Sequence, residues 1–576
     1  MPLSTASDTI LGDLRTKDTT NFYYEVWFEN TKTGNKYGPK GGSPGNTISF
    51  DNVVYDTYDF YLKIYIDKEK DIVLGTQYVL NKTVSETDNT VNFELHLSEY
   101  TDFYFVSNQE ELSDAFSKIA EKGGIDQNDE STFGKIIVQN DFELSPDRTA
   151  PGPVISYSYS DTIGAVVNLC GHKISSESKV SFAGNDEFIV FKDGTLKMNQ
   201  ITLGMAGDSG GTSVLTLDGV SVVQNGDEIG GLIKPYSATV KLTNGTTVQS
   251  DELCLYLYGG NVVMENGAEV ISSGYCTVKI NNPHSTLSMS ASSITNTSIY
   301  ETGGSYTVRC VEMYCGELTM SDGSKIESKE TAVSIMGGSF RMDSSSIKST
   351  QASMWSVEIY EYDYPTSFVM TGSSSIESNT DAVDQSGGKF VLAEGSTLRG
   401  ANECVVNQSG GTFVMVGGNM ENTGSEPLLY GTVNISARNN SIFALADSYE
   451  YDGNTYTAEI NSVEKVYCIL STSSKNAYIL FGGNSRIEDF SYYKTSSAGE
   501  TPQILFGQLS AATGAAQTSG FVGINCNLSD KSNIKLLNSS YSDAPDEFSL
   551  EDADTNFFRL TRFNWSPYGL YYQPDD

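Results

Sequence analysis

The feature that most constrains the fold is a short apolar phrase that recurs through the middle of the chain. Its clearest copies are 340–342 (FRM), 368–370 (FVM), 390–392 (FVL) and 413–415 (FVM). The last apolar residue of each copy marks the repeat: Met198, Leu217, Leu242, Met264, Met289, Met320, Met342, Met370, Leu392 and Met415. The steps between these markers are 19, 25, 22, 25, 31, 22, 28, 22 and 23 residues. We therefore interpret this region as coils of about 22 residues with insertions.

Short apolar phrases joined by glycine-rich bends are typical of a parallel β-solenoid. A helical solenoid would instead show a 3.6-residue period and few glycines, whereas this chain has 54 glycines. In a β-solenoid successive coils stack about 4.8 Å apart, so that like residues lie over like. Small or soft residues about twelve positions after the marker predict one further inward column: Cys254, Cys276, Cys310, Ala332, Met354, Ala382 and Cys404.

The chain on either side of the coils has a different pattern. Alternating apolar and polar residues between about 20 and 100 predict short strands, which we interpret as an immunoglobulin-like β-sandwich over 1–103. Ser107 and Glu110 form a capping box that begins a predicted helix over 107–122, within an N-terminal solenoid cap over 104–165. The parallel β-helix is predicted over 166–550, and an aromatic C-terminal cap over 551–576.

The helix followed by a strand, and the phrase VNLCGHKI at 167–174, carry a resemblance to a known family. They are similar to the N-terminal cap and the first-coil phrase of right-handed parallel β-helix proteins, often called pectate-lyase-like. The resemblance covers roughly 104–550. It implies an all-β fold, and many members of the family are polysaccharide hydrolases or lyases. Fold alone does not define activity, so the chemistry has to be sought in individual residues.

Charge and composition narrow the classes of partner. The net charge is −37, and no basic stripe is present to neutralise phosphates, which argues against binding to nucleic acid and to anionic membranes. No apolar run reaches the roughly 20 residues needed to span a bilayer, and no signal peptide is visible at the start. The composition favours an extracellular or cell-surface protein, which we expect to be a monomer without membrane insertion.

The sequence offers little support for catalysis. The phrase NTDAVD at 379–384 resembles one catalytic phrase of polygalacturonases, but its partner motifs are missing. The three histidines form no dyad, and His172 is interpreted as part of the first-coil turn. No catalytic residue, metal ligand or cofactor is predicted; Ca²⁺ is conceivable but not indicated. The cysteines are interpreted as free thiols in the core rather than as disulfides.

Two coil insertions are the best candidates for a functional site. Insertions in solenoids map to loops, which are often the binding surface. Exposed aromatic rings beside carboxylates suit sugar recognition; the alternative is that these rings pack on the strands beneath them. The predicted ligand-binding residues are Trp355, Glu358, Tyr360, Tyr362, Asp363 and Tyr364 in one insertion, and Tyr300 and Tyr306 in the other.

The pattern as a whole predicts a non-enzymatic adhesin or binding protein that recognises a surface glycan or a host or neighbour-cell protein. Two alternatives stay open. One is a polysaccharide lyase or glycoside hydrolase whose site is not recognisable from the sequence. The other is a structural stalk without a ligand.

Overall fold

A computed structural model describes most of the chain between residues 23 and 494 and a few short strands outside that range. The described residues are 2–3, 23–42, 48–50, 53–65, 73–85, 91, 103–146, 154–157, 162–184, 186–204, 212–226, 230–299, 307–351, 355–401, 404–424, 431–436, 438–439, 441–446, 448–459, 461–470, 477–481, 485–494, 504–508, 524–527, 534–540, 547–549 and 557–558. The chain divides into two compact units. One comprises 1–143, 163–173 and 192–194, and the other comprises 144–162, 174–191 and 195–576.

The first unit contains a small antiparallel sheet. Its four strands lie in the order Lys36–Gly42, Tyr23–Asn30, Thr57–Tyr65 and Val73–Thr83. Residues of Tyr23–Asn30 are alternately half-buried and buried, as the period of two in a β-strand requires. Val26, Phe28, Tyr58 and Phe60 form the centre of its core. A pair of short strands, Pro2–Leu3 and Ile48–Ser49, is also antiparallel.

The same unit holds the predicted helix, which runs over Gln109–Lys122 and buries Leu112 and Phe116 among other apolar residues. The capping box lies one residue later than predicted. Asn108 is the N-cap, its Oδ1 accepts from the Glu111 N–H at 3.0 Å, and Glu111 Oε2 accepts from the Ser107 N–H at 2.7 Å. Asn and Ser are equally good N-caps, so the sequence does not separate the two frames.

Parallel strands lie on both sides of this helix in the sequence, and a tight turn follows the last of them. Phe103–Val106, Gly134–Val138 and Ile163–Asn168 pair in that order, and a short 3₁₀ helix spans Glu130–Thr132. The first-coil phrase forms a turn in which Asn168 Oδ1 accepts from the Cys170 N–H at 2.7 Å. Cys170 and Gly171 both have positive φ, at 50° and 79°, which completes the reversal. His172 lies in this turn, as predicted.

The second unit is a parallel β-solenoid of about 10 turns, which confirms the predicted fold class. Each regular coil has three strands, and three parallel ladders run along the axis. The first ladder comprises Thr239–Thr243, Asn261–Met264, Thr286–Ser290, Glu317–Ser321, Gly338–Asp343, Thr366–Thr371, Lys389–Ala393, Gly411–Val416, Ser441–Leu445, Ala477–Phe481, Ile504–Gln508 and Ile534–Ser540. The second comprises Thr247–Ser250, Glu269–Ser272, Ser293–Asn296, Lys325–Ser328, Ser346–Ser349, Ser375–Glu377, Thr397–Gly400 and Asn419–Asn422. The third comprises Ile233–Pro235, Leu255–Leu257, Cys276–Ile280, Arg309–Met313, Thr331–Ile335, Val357–Ile359, Val383–Gln385, Val406–Gln408, Val433–Ile435, Asn461–Leu470, Ser485–Lys494 and Ile524–Asn527.

Longer or isolated strands complete the described secondary structure. They are Phe142–Leu144, Val154–Tyr157, Lys173–Phe182, Glu187–Leu203, Val214–Gln224, Ser448–Tyr451, Asn454–Thr457, Glu547–Ser549 and Phe557–Phe558. The predicted C-terminal cap over 551–576 lies outside the described residues except for 557–558.

A single file of phenylalanines inside the first ladder confirms the predicted register of the coils. Neighbouring rings of Phe340, Phe368, Phe390 and Phe413 have centroids 4.5, 4.9 and 4.9 Å apart and are within 9° of parallel. The markers from Leu217 to Met415 pair in the same way, coil upon coil. Close stacking also explains the glycines between coils: a Cβ on Gly338 would lie 2.3 Å from the Gly316 carbonyl oxygen.

Three details of the predicted register are wrong: the places of Met198 and Ile271, and the column of cysteines. The Met198 carbonyl accepts from the Asn225 N–H, so Met198 lies beside a second-ladder segment and not in the file of Leu217. Val270, and not Ile271, pairs with Val248, because a shift of one residue turns a side chain to the other face.

The inward column of cysteines is shifted in the same way. The Cys254 N–H donates to the Thr277 carbonyl, so Cys254 and Cys276 do not share one column. The seven cysteines whose side chains are described are free, as predicted, and six of them are buried.

The centre of the first-ladder phrase changes from polar to apolar where a hairpin covers the outer face. Arg341 is followed on the next coils by Val369, Val391 and Val414. These valines pack against tyrosines of the hairpin Ser448–Tyr451 and Asn454–Thr457, and an ion pair joins Arg341 to Asp452 at its tip. The outward valines are therefore a second, smaller core.

Candidate functional site

One outward file of polar residues runs along the third ladder, and we call it the outer file. In each coil it is the residue between two inward residues of a three- to five-residue strand, so the period of two turns its side chain away from the core. Parallel pairing places the members next to one another on successive coils. They are Lys234, Tyr256, Lys279, Glu312, Ser334, Glu358, Asp384, Asn407 and Asn434.

Arg309 joins two carboxylates of the outer file. Its Nε donates to Glu358 Oε2 at 2.9 Å, and its Nη1 donates to Glu312 Oε1 at 3.3 Å. The Glu358 side chain is only 2% exposed and that of Glu312 9%. Burial works against the charge on Arg309, but the Glu358 and Glu312 carboxylates prevail and raise the pKa of the guanidinium. Charge-assisted bonds of this kind are the usual way in which a buried carboxylate is stabilised.

Lys279 adds a second cation beside Glu312. Its Nζ lies 3.6 Å from Glu312 Oε2 and 4.7 Å from the centroid of the Tyr314 ring. The Tyr314 hydroxyl also donates to Glu312 Oε2 at 3.5 Å. Glu312 is therefore held by a guanidinium, an ammonium and a phenol, which leaves it a structural partner rather than a free base.

Asp384 continues the file one coil beyond Glu358. Asn407 Nδ2 donates to Asp384 Oδ1 at 2.7 Å, and Asn434 Nδ2 donates to Asn407 Oδ1 at 3.0 Å, which makes a ladder of amides along the axis. Burial raises the pKa of Asp384 to about 6, and the neighbouring Glu358 charge adds to the shift. Asp384 therefore takes up a proton at mildly acidic pH, whereas an exposed aspartate does so only near pH 4.

Asp381 has a structural role. It is 6% exposed, and its Oδ1 accepts from the Cys404 N–H of the next coil at 3.1 Å. The two aspartates of the polygalacturonase-like phrase at 379–384 therefore have different positions: Asp381 accepts from the backbone of the next coil, and Asp384 belongs to the outer file.

An unusually long bend follows the strand Val357–Ile359. Residues 360–365 separate it from the next first-ladder strand, and we call them the tyrosine bend; the equivalent bends after Ile335 and Gln385 have two and three residues. The bend is fixed to its neighbours, since the Tyr362 N–H donates to the Met336 carbonyl and Glu361 Oε2 accepts from the Gly388 N–H.

The tyrosine bend presents rings to solvent. Tyr362 is 66% exposed and Tyr364 43%. The Tyr360 and Tyr362 rings stack 5.7 Å apart at 11°, while Tyr360 is half-buried; burial, followed by the Glu358 and Asp384 carboxylates, raises its pKa. One side of the bend is thus a fixed aromatic surface, and the other side meets the acidic part of the outer file.

The predicted site residues fall into three groups. Tyr360, Tyr362, Asp363 and Tyr364 come together in the tyrosine bend, with Asp363 exposed. Glu358 lies buried beside them in its pair with Arg309, and Trp355 is half-buried just before the strand. Tyr300 and Tyr306 lie outside the described residues.

Sequence reasoning missed Arg309, Glu312 and Asp384 as neighbours of Glu358. The signal was present: Lys279, Glu312 and Glu358 each stand between two apolar residues of a third-ladder phrase, and Asp384 follows the apolar Val383 in the same position. Aligning those phrases by their apolar flanks places all four in one file. The insertions obscured this alignment because they make the spacing between successive third-ladder phrases irregular.

Comparisons with known proteins leave the family open: no family model matches the chain, and no curated protein or solved structure matches it either. Within the described ranges, no group of three or more His, Cys, Asp or Glu residues is placed to hold a metal ion. Searching those same ranges for a helix long and apolar enough to cross a membrane finds none.

Proposed function

We propose that this chain is a secreted or cell-surface binding protein that holds a glycan at the tyrosine bend without a chemical step. The observation that carries the proposal is the pair of exposed rings, Tyr362 and Tyr364, on a bend that hydrogen bonds hold in place. Fixed aromatic rings stack on the apolar faces of sugars at little entropic cost. Asp363, exposed on the same bend, offers acceptors for sugar hydroxyl groups.

The states of the nearby carboxylates support binding rather than catalysis. Glu358 is almost fully buried, and its Oε2 is occupied by the Arg309 Nε–H. A nucleophile or general base needs an oxygen within hydrogen-bond reach of the substrate. Glu358 and Glu312 serve instead to position the strand beneath the tyrosine bend.

A glycan array with the purified chain tests the proposal. The informative variant is Tyr362→Ala, because Tyr362 is exposed and its loss leaves the core untouched. Tyr55→Ala is a matched control, since Tyr55 is 61% exposed in the bend before the strand Thr57–Tyr65 of the first unit. We expect the array signal of the wild type to fall at least tenfold in Tyr362→Ala and to persist in Tyr55→Ala. Equal signals from both variants would remove the tyrosine bend from consideration.

A glycoside hydrolase is the second candidate, and one observation favours it. Glu358 and Asp384 pair across adjacent coils, and the raised pKa of Asp384 suits a general acid. Most glycoside hydrolases use such a pair of carboxyl groups. Release of reducing ends from a polysaccharide panel, abolished by both Glu358→Gln and Asp384→Asn but not by Glu361→Gln, would favour this candidate over binding alone.

A further inference from the structure

A second aromatic cluster lies on the outer file several coils before the tyrosine bend. Lys234 Nζ lies 4.6 Å from the ring centroid of Tyr256, 5.3 Å from that of Tyr236 and 5.7 Å from that of Tyr258. The three rings come from two successive coils and contact one another edge to face. Asn281 Nδ2 donates to the Tyr256 hydroxyl at 3.2 Å and fixes that ring from the next coil.

Lys234 differs from the cations that follow it along the face. Lys279 and Arg309 both pair with Glu312. In the part of the chain for which side chains are described, by contrast, no carboxylate pairs with Lys234. An ammonium without an acidic partner is unexpected in a chain with a net charge of −37, where carboxylates outnumber cations two to one.

The rings stabilise this ammonium only weakly. A cation over an aromatic ring at a partly exposed site is stabilised less than one that makes a hydrogen bond to a charged group. An anion that reaches Nζ therefore adds the stronger of the two interactions. Tyr258, which is 46% exposed, places a ring face and a hydroxyl next to that ammonium.

We propose that Lys234, Tyr236, Tyr256 and Tyr258 form a subsite for an anionic sugar. The Lys234 ammonium binds a carboxylate or a sulfate ester on the sugar, and the Tyr258 ring stacks on the sugar ring. The subsite is independent of the tyrosine bend: its two coils lie four and five coils before Val357–Ile359, or roughly 19–24 Å along the axis.

The overall negative charge does not prevent this binding at physiological salt. Exposed charges more than about 8 Å apart are largely screened at 0.15 M ionic strength, so the local cation decides the interaction.

The test measures binding of three polymers to the immobilised full chain at 0.15 M salt. Alginate presents carboxylates, dextran sulfate presents sulfate esters, and dextran is the neutral reference. The variants are Lys234→Ala, Lys234→Arg and Tyr258→Ala. Lys241→Ala is the matched control, because Lys241 is an exposed lysine on the first ladder of the same region. Circular dichroism confirms that each variant is folded.

We expect alginate, dextran sulfate or both to bind, and dextran not to bind. Lys234→Ala and Tyr258→Ala should each weaken that binding at least tenfold, Lys234→Arg should retain most of it, and Lys241→Ala should change it less than twofold. Binding of alginate alone identifies a carboxylate as the anion, and binding of dextran sulfate alone identifies a sulfate ester.

Three results would overturn the proposal: no binding of either anionic polymer, equal binding of dextran, or equal losses in Lys234→Ala and Lys241→Ala. The last result would show that positive charge anywhere on the surface suffices. A Tyr362→Ala variant is expected to bind these polymers normally, so the subsite and the function proposed for the tyrosine bend can fail separately.

Discussion

Stacking of phenylalanine rings in register should make a measurable contribution to the stability of individual coils. Phe390 lies between two nearly parallel rings, those of Phe368 and Phe413, each 4.9 Å away. In the described part of the chain Phe443 contacts one ring, that of Phe413, at 5.4 Å and a tilt of 42°. Both side chains are 0% exposed, so they differ in ring contacts rather than in burial.

Substitution by leucine removes the rings but keeps most of the buried apolar surface. An aromatic pair contributes about 0.5–1.5 kcal/mol beyond its burial. Phe390→Leu loses two such pairs and Phe443→Leu loses one, so the first should cost about 1 kcal/mol more than the second. Phe340→Leu, which loses one close parallel pair with Phe368, should fall between them.

Native-state hydrogen exchange is the suitable assay, because arrays of coils need not unfold in a single step. The free energy of local opening is read from the amides of Lys389–Ala393 for Phe390→Leu and of Ser441–Leu445 for Phe443→Leu, each relative to the wild type. If Phe443→Leu lowers its local value as much as Phe390→Leu does, or more, the ring file does not stabilise the coils in the way we infer.

Three further predictions concern other parts of the second unit. Burial raises the pKa of Asp384 from 3.8 to about 6, so the folded state binds more protons than the unfolded state between those pH values, and stability falls as pH rises through them. Above pH 6, Asp384→Asn, whose amide oxygen still accepts from Asn407, should raise the free energy of unfolding by on the order of 2–3 kcal/mol. The prediction is contradicted if the variant and the wild type show the same difference in that free energy between urea unfolding at pH 4 and at pH 7. Burial raises the pKa of the Cys254, Cys276 and Cys310 thiols, that of Cys310 to about 12. Iodoacetamide at pH 8 should therefore leave all three unlabelled in the native chain and label them in urea. Labelling of the native chain, detected by mass spectrometry, would contradict this. Arg341→Ala should speed hydrogen exchange of the hairpin amides at 448–457. It should change the global free energy of unfolding by less than about 1 kcal/mol, because the partner Asp452 is exposed. Hydrogen exchange as slow as in the wild type would show that tyrosine packing alone holds the hairpin.

The repeat made the fold class predictable, because stacked coils impose the same inward position on each phrase. Registers failed where two adjacent residues were equally apolar, as with Val270 and Ile271, or where two adjacent residues are both buried, as with Cys276 and Thr277. Local apolar character does not decide between faces in those cases, and only pairing with the next coil does.

The candidate site was predictable only in part, for a different reason. Tyr362 and Tyr364 stand in an insertion and were found by that criterion. Arg309 and Asp384 stand inside regular strands, and their importance arises from contacts between coils 23 and 49 residues apart in sequence. Neither spacing nor composition displays such contacts until the coils are aligned.

The order of side chains along the outer file gives the solenoid face a direction. Ammonium groups and phenols occupy the end nearer the N-terminus, carboxylates the centre, and amides the far end, from Lys234 to Asn434. A linear polymer laid along this axis would meet different chemistry in its two orientations, so its reducing and non-reducing ends would not be interchangeable. The stacked coils therefore present a face that distinguishes the two ends of any linear polymer bound along it.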